Sequence, residues 1–411
     1  MREQLRDSYS DTGRPSIDPE VLLRILLCGY LYGVTSERKL VEELRMHLAW
    51  RWFTGLGFDQ EIPNHSTFSK NRHGRFQESK LFEELFERIV AQCVTAGLVN
   101  GEHLSVDGSF IQANATNDSR IPREQLAEAA QVKSAVREYL KELEEENGNG
   151  EPVHQQDKVS TTDPDATYAS KGNRPAELGY FDNYLIDNSS CVIVGVQATA
   201  ARLSQESAAA RDMIEGYRER HGRTPQSLAA DNTYGNGELL QWLDDRGITP
   251  YIRVKESPTP KSGLYGIDKF TYQPEENLYI CPEGKQLKYV GINQRNLTHV
   301  YPSTLKRCRG CSQKAQCTRG KYRILAVHTC EAARQKAYDA AKTPAFVQAQ
   351  RDRRKVEALF AELKNQIGLR RLRLRRMRFV REQFYMAAAV QNLKRLVRFL
   401  SFNPQPVTAT I

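Results

Sequence analysis

Residues 103–111 read HLSVDGSFI, and residues 227–231 read SLAAD. In the first stretch Leu104 and Val106 alternate with polar neighbours and run into the turn-prone pair Asp107-Gly108, which predicts a strand that ends or bends at the aspartate. In the second, a short apolar run delivers Asp231 at its C-terminal end. Between them, GYFDNYLID (179–187), a turn at Asn188-Ser189-Ser190 and CVIVGVQATA (191–200) read as a hairpin, followed by a helix over 205–220. After Asp231 come a turn over 232–237, a helix over 238–246 and the strand ITPYIRV (248–254). The order from 103 to 254 is therefore strand, long excursion, two strands, helix, strand, helix, strand. This is an α/β class with a mixed sheet flanked by helices, and functional groups gather at strand ends of such sheets.

Working outward, residues 1–100 read as an all-helical region. Pro19 to Tyr32 has apolar residues at helical spacing, Gly33 breaks it, and Ser36 offers an N-cap for a second helix with Leu40, Leu44 and Leu48 on one stripe. Two helices across a tight glycine turn are similar to a helix-turn-helix, a pattern that plain core pairs share. A third helix runs over 80–96. Residues 101–254 form the first part of the α/β domain, with a long helix over 123–146 and a mobile excursion over about 115–175. Residues 255–330, rich in Tyr, Gly, Pro and Cys, read as a small β-rich insertion. Residues 331–400 complete the domain with a helix over 331–364, a basic segment and an amphipathic helix over 379–400. Residues 401–411 read as a disordered tail.

The net charge is +9, and its distribution is more informative than its size. From Asn365 to Arg381 there is no acidic residue, while Arg370, Arg371, Arg373, Arg375, Arg376, Arg378 and Arg381 are all present. Such a cluster attracts phosphate by Coulomb forces and counterion release, against the plainer reading of a solvated basic face. No apolar run reaches the roughly 18–20 residues a membrane span needs. The polar start MREQLRDSYSD lacks a secretory core, so a cytoplasmic location is expected. A basic membrane-surface protein is disfavoured because the arginines have few bulky apolar residues opposite them.

No HExxH, GxSxG or GxxxxGK[ST] pattern occurs, which removes the common metalloprotease, hydrolase and nucleotide-coupled readings. Carboxylates remain. If the first and fourth strands are neighbours, Asp107 and Asp231 face each other across one sheet edge. A third carboxylate lies in RDRRKVEALFAELKNQIG (351–368), where Arg353, Glu357 and Lys364 are spaced by four and seven residues and share a helix face. Val356, Leu359, Phe360, Leu363 and Ile367 form the adjoining apolar stripe. Three such carboxylates suit two hard divalent ions, which prefer oxygen ligands and promote phosphodiester cleavage. The competing reading is an ordinary Arg353–Glu357 salt bridge on an exposed helix, and by spacing alone that is the commoner arrangement.

These stretches also resemble a known family. VDGSFIQANA (106–115) resembles the first-aspartate motif of bacterial insertion-sequence DDE transposases, and AADNTYGNGELLQWLDDRGITPYI (229–252) resembles their second. Arg353, Glu357 and Lys364 match the third signature, which normally has a tyrosine three residues before the arginine; here that residue is Gln350. GRPSIDPEVLLRILLCGYLYGVTSERKLVEEL (13–44), with PNHSTFSKNR after it, is similar to the DNA-binding region of the same proteins. The resemblance implies an RNase H-like catalytic domain and two divalent ions, Mg²⁺ or Mn²⁺, held by Asp107, Asp231 and Glu357. It further implies double-stranded DNA as partner, at the element ends and at the target. Arg353, Lys364 and the arginines at 370, 371, 373, 375, 376 and 378 would then contact DNA, in a nucleoid-associated protein that acts as a homodimer assembled on DNA. A catalytically silent DNA-binding regulator, or a structure-specific nuclease of the same fold, remains as an alternative.

Eight cysteines are present. Cys28, Cys93 and Cys191 lie in apolar surroundings and read as buried thiols. Cys281, in a CPEGKQL stretch that with CRGCSQKAQCT resembles an insert of one transposase subgroup, could join Cys308, Cys311 and Cys317 in a structural Zn²⁺ site. Reduced thiols in a β-rich insert are the alternative.

Overall fold

A computed structural model describes residues 17–74, 80–147, 157–170, 175–201, 203–255 and 263–402. The chain divides into two compact units, one formed by residues 1–225 and 352–411 and the other by residues 226–351.

The first unit opens with helices α1 (Pro19–Leu31), α2 (Glu37–Met46), α3 (Leu48–Thr54), α4 (His65–Gly74) and α5 (Leu81–Thr95). Asp18 caps α1 by accepting from the Glu20 amide at 2.8 Å, with Pro19 pre-set at the first helical position. Gly33 turns the chain with φ +66°, and a side chain there would run into the Gln366 carbonyl, so glycine is required on both counts. Ser36 caps α2 as its sequence position predicts. Leu48 departs from the expected stripe: His47 takes an extended conformation, α2 ends before it, and Leu48 starts α3 with 64% of its surface exposed.

Strand β1 (His103–Gln112) pairs antiparallel with β5 (Glu177–Asp187), which pairs with β6 (Ile193–Ala200). The excursion between β1 and β5 carries β2 (Arg120–Pro122), α6 (Leu126–Val132), α7 (Ser134–Asn147), β3 (Lys158–Ser160) and β4 (Thr167–Ala169), the last paired with β5. The single helix expected over 123–146 is broken, because Lys133 is extended and Arg137 binds the carbonyls of Ala130 and Gln131 at the end of α6. That break lets α6 fold against α7 and close a small core of Leu126, Val136 and Val159. The described part of the excursion is thus a structured element with its own core. Helix α8 (Leu203–His221) follows.

The second unit begins with β7 (Ser227–Ala229), α9 (Gly237–Asp244) and β8 (Thr249–Tyr251), with β7 and β8 parallel. The insertion is two three-stranded antiparallel sheets. One contains β9 (Thr271–Gln273), β10 (Leu278–Ile280) and β11 (Gln286–Lys288). The other contains β12 (Gly291–Asn293), β13 (Thr298–Pro302) and β14 (Ile324–His328), with short helices α10 (Leu305–Cys308) and α11 (Lys314–Cys317) between the last two strands. Phe270, Tyr279, Leu287, Tyr301, Leu325 and Val327 form its core.

The long helix expected over 331–364 is three: α12 (Glu331–Ala340), α13 (Pro344–Arg353) and α14 (Lys355–Asn365). Pro344 starts α13 and cannot continue α12. Arg354 lies between α13 and α14 with right-handed helical angles. Helix α15 (Met377–Phe402) ends the described chain; residues 401–402 belong to it, and the rest of the expected tail lies outside the described residues. The antiparallel β1–β5–β6 group followed along the chain by the parallel β7–β8 pair is a mixed α/β arrangement consistent with the RNase H-like class. Among the described residues no helix is long and apolar enough to cross a membrane.

Candidate active site

In the first unit, Asp107 lies in the middle of β1 opposite Tyr184 of β5. Tyr184 stacks on Phe360 of α14 with ring centroids 4.8 Å apart. Val356, Leu359, Phe360 and Leu363 are all buried, so the apolar stripe read from sequence is the docking face of α14. Docking by that face leaves the Glu357 side chain 64% exposed at its border. Arg353, only 16% exposed, connects the two carboxylates. One guanidinium nitrogen lies 3.1 Å from Asp107 Oδ2 and another 3.9 Å from Glu357 Oε1. Asp107 Oδ1 also accepts from the Gly108 amide at 2.8 Å. Two carboxylates far apart in sequence therefore meet one partly buried cation.

Lys364, half-buried on the same helix, lies near Asp182 of β5. Complete burial holds the Asp182 carboxyl well above the usual carboxylate range, with Tyr184 and then Lys364 opposing the shift. A buried acid beside Lys364 was not foreseen from sequence.

The arginine segment has two sides. Its backbone joins β1: the Gln112 amide donates to Arg370 O and the Leu372 amide to Gln112 O. Arg370, Arg371 and Arg375 are exposed. Arg373 is half-buried with its guanidinium 4.7 Å from the Tyr30 ring. Arg376 has gone inside. Its side chain is 6% exposed and pairs with Asp165 at 2.9 Å, Glu138 at 3.7 Å and Glu142. Its amide donates to Asp163 Oδ1, which also accepts from the Tyr180 hydroxyl at 2.7 Å. Arg378 pairs with Glu138 and Glu142 at 2.9 and 3.6 Å. The uninterrupted basic face expected from Arg370 to Arg378 is thus divided: the acidic helix α7 neutralises Arg376 and Arg378. Burial raises the Asp163 carboxyl to about 6, while the Arg376 amide and Tyr180 pull it back down.

In the second unit, Asp231 follows β7 by two residues and caps a short 3-10 turn over Asn232–Tyr234. Its Oδ1 accepts from the Thr233 amide at 2.8 Å and its Oδ2 from the Thr233 hydroxyl at 3.1 Å, so both oxygens are aimed by one neighbour. Thr233 escaped the sequence reading, although Asp-x-Thr at a strand end is a legible side-chain-to-backbone capping pattern. The Gln350 amide donates to the carbonyls of Ala230 and Tyr251 at 3.0 and 2.7 Å.

Cys28 and Cys93 are buried free thiols as expected, whereas Cys191 is only half-buried. In the insertion, Cys281 and Cys317 pack against one core, and Cys281 Sγ accepts from the Lys285 amide at 3.3 Å. Burial raises the Cys317 thiol, and the neighbouring Cys281, Cys308 and Cys311 push it the same way, against Arg323. The four cysteines called from sequence are therefore neighbours. Among the described residues, however, no group of three or more His, Cys, Asp or Glu side chains stands arranged to hold a metal ion.

Comparison with known proteins agrees on the class. Residues 1–74 match the family model described as a transposase domain (DUF772), and residues 280–397 match the transposase DDE domain. The two matches, near opposite ends of the chain, support an insertion-sequence DDE transposase. No curated protein matches the chain. Among solved structures, a piggyBac transposase synaptic complex with hairpin DNA is similar at a TM-score of 0.38 and 9% identity, over 99% of this chain and 73% of that one. At that level the likeness adds nothing to the family matches.

Proposed function

We propose that this chain cuts the ends of an insertion sequence and joins them to target DNA, with Asp107, Asp231 and Glu357 as ligands of two divalent ions, Mg²⁺ or Mn²⁺. The observation that carries the reading is Arg353 bridging Asp107 and Glu357. It draws together carboxylates that nothing in the local sequence requires to meet. The donor set fits: all three offer carboxylate oxygen, the ligand hard divalent ions take. When bound, such ions supply a nucleophile at neutral pH and neutralise charge at the scissile phosphate.

The chain's own residues do the rest. Thr233 fixes the orientation of the Asp231 carboxylate. Arg353, poised between two carboxylates, and Lys364 supply the positive charge proposed to meet a phosphate oxygen. Hydrolysis at the element end leaves a 3′-hydroxyl. That hydroxyl then displaces a bridging oxygen in target DNA, one phosphodiester bond forming as one breaks. Both are phosphoryl transfers, in which positioning and charge neutralisation provide most of the rate. Transposition joins two ends, so a homodimer assembled on DNA is part of the proposal.

Exposed Arg370, Arg371 and Arg375 are proposed as contacts to the DNA backbone. Replacing all three with alanine should weaken binding and flatten its salt slope by up to about three; an unchanged slope returns them to a solvated face. A structural Zn²⁺ on Cys281, Cys308, Cys311 and Cys317 is supported by their proximity and by soft thiolate chemistry, and it would require the thiols to close around the ion. Metal analysis of the purified protein tests it, and a zinc-free protein ends it.

The test of the activity is incubation with Mg²⁺ and DNA carrying the sequences that flank the gene. Cleavage with joining supports the proposal. Binding without cleavage makes the chain a silent regulator, and cleavage confined to branched DNA makes it a structure-specific nuclease.

A further inference from the structure

Helix α13 docks on β8 through buried Phe346, whose ring meets Tyr251 edge-on at 6.3 Å. One turn later the same helix presents Gln350. The parallel pairing of β7 with β8 runs from Ser227↔Thr249 to Ala229↔Tyr251 and stops there, because the chain leaves the ladder to form the Asp231 turn. The carbonyls of Ala230 and Tyr251 at this end are met by the Gln350 amide nitrogen, which donates to both. A primary amide has two N–H groups, so one side chain serves both carbonyls at once. A tyrosine, the residue the family pattern has here, carries one O–H and can serve only one.

The loop is tied on its other side as well. Gly235 lies so close to the Arg253 carbonyl that a side chain would collide with it, and the Lys255 amide donates to Gly235 O at 3.1 Å. The peptide immediately before Asp231 is therefore held by Gln350, and the carboxylate itself by Thr233.

We infer that Gln350 is a positioning residue: its amide closes the open end of the β7–β8 ladder and thereby fixes the backbone that carries Asp231 as a metal ligand. The inference rests on the reading of Asp231 given above. Residues that orient ligands in this indirect way commonly change metal affinity by 10-fold or more when replaced.

The test uses the full chain with Gln350→Met, which keeps length but removes both donors, and Gln350→Glu, which keeps shape but has no donor while ionised. Hydrogen exchange is followed in metal-free protein over residues 230–236, with residues 278–302 as internal control. Mn²⁺ affinity is measured by spin resonance. Gln350→Met should speed exchange in the Asp231 loop roughly 10-fold with the control unchanged, and weaken Mn²⁺ binding roughly 10-fold. Gln350→Glu should be impaired at pH 8 and recover exchange protection only in part as pH falls, because the protonated carboxyl has one O–H and serves one of the two carbonyls. Unchanged exchange and affinity in both variants, or equal acceleration in the control segment, overturns the inference. Asp231→Asn measured alongside separates the two claims. If it leaves Mn²⁺ affinity intact the ligand reading fails, whereas weakened binding there with parent-like behaviour at Gln350 sinks only the positioning role.

Discussion

Asp107 and Asp231 are assigned the same work but are held by opposite means. In the first unit, Asp107 is held by the guanidinium of Arg353, and in the same unit Arg376 is itself held by Asp165, Glu138 and Glu142. In the second, Asp231 is held by a threonine, and its backbone by a neutral amide. Charge acts over distance and joins segments remote in sequence, at the cost of sensitivity to protonation and to loss of a partner. Neutral hydrogen bonds act locally and depend on shape.

The contrast can be broken at several points. The largest effect belongs to Arg376→Ala. It strands Asp165 beside a site only 6% exposed, while Glu138 and Glu142 are half-exposed and keep Arg378, so the cost falls at the low end of that for a broken buried pair, about 3 kcal/mol. Urea unfolding measures it, and a cost below about 1 kcal/mol would mean that the acidic helix does not depend on the arginine. Next, Arg353→Ala should lower cleavage on the order of 100-fold, the size typical of losing a pre-placed charged donor. Thr233→Val, with the shape kept and the donor hydroxyl gone, should cost about 10-fold. Equal losses in single-turnover assays would erase the distinction between the two seats.

A pH-dependent effect lies in Asp163. Its carboxyl titrates at about 6 in the folded protein against an ordinary value of 3.8. The folded state thus holds its proton more tightly, so its contribution to stability is full below pH 3.8 and is lost as pH rises through about 6. Asp163→Asn should remove that dependence. The stability difference between variant and parent should then shift in favour of the variant by on the order of 2 kcal/mol between pH 4 and 7. A constant difference would show that burial does not govern this group.

How much of this was legible follows the same division. Local signals read well: the Ser36 cap, the Gly33 turn, the hairpin around residue 189 and the apolar stripe of α14 all rest on spacing within one element. Glu357 was placed at the border of a buried face from that stripe, and it lies there even though a helix boundary at Arg354, invisible to periodicity, separates it from Arg353. What periodicity could not show was long-range. No pattern within residues 365–381 says that Arg376 will turn inward to carboxylates more than 200 positions earlier. The break at Lys133 likewise goes with a core to which Val159, later in the chain, contributes. Gln350 stood out as a departure from the family pattern, but its partners became visible only in three dimensions.

The central claim is that three acidic side chains act as one site. Its direct test is cleavage of element-end DNA in Mg²⁺ by Asp107→Asn, Asp231→Asn and Glu357→Gln, beside Glu362→Gln, whose carboxylate instead pairs with Lys394 and Arg395. Each of the first three should lose at least about 10³-fold in cleavage while still binding the DNA, and the fourth should cut. Cleavage at the parent rate by any of the three would contradict the account.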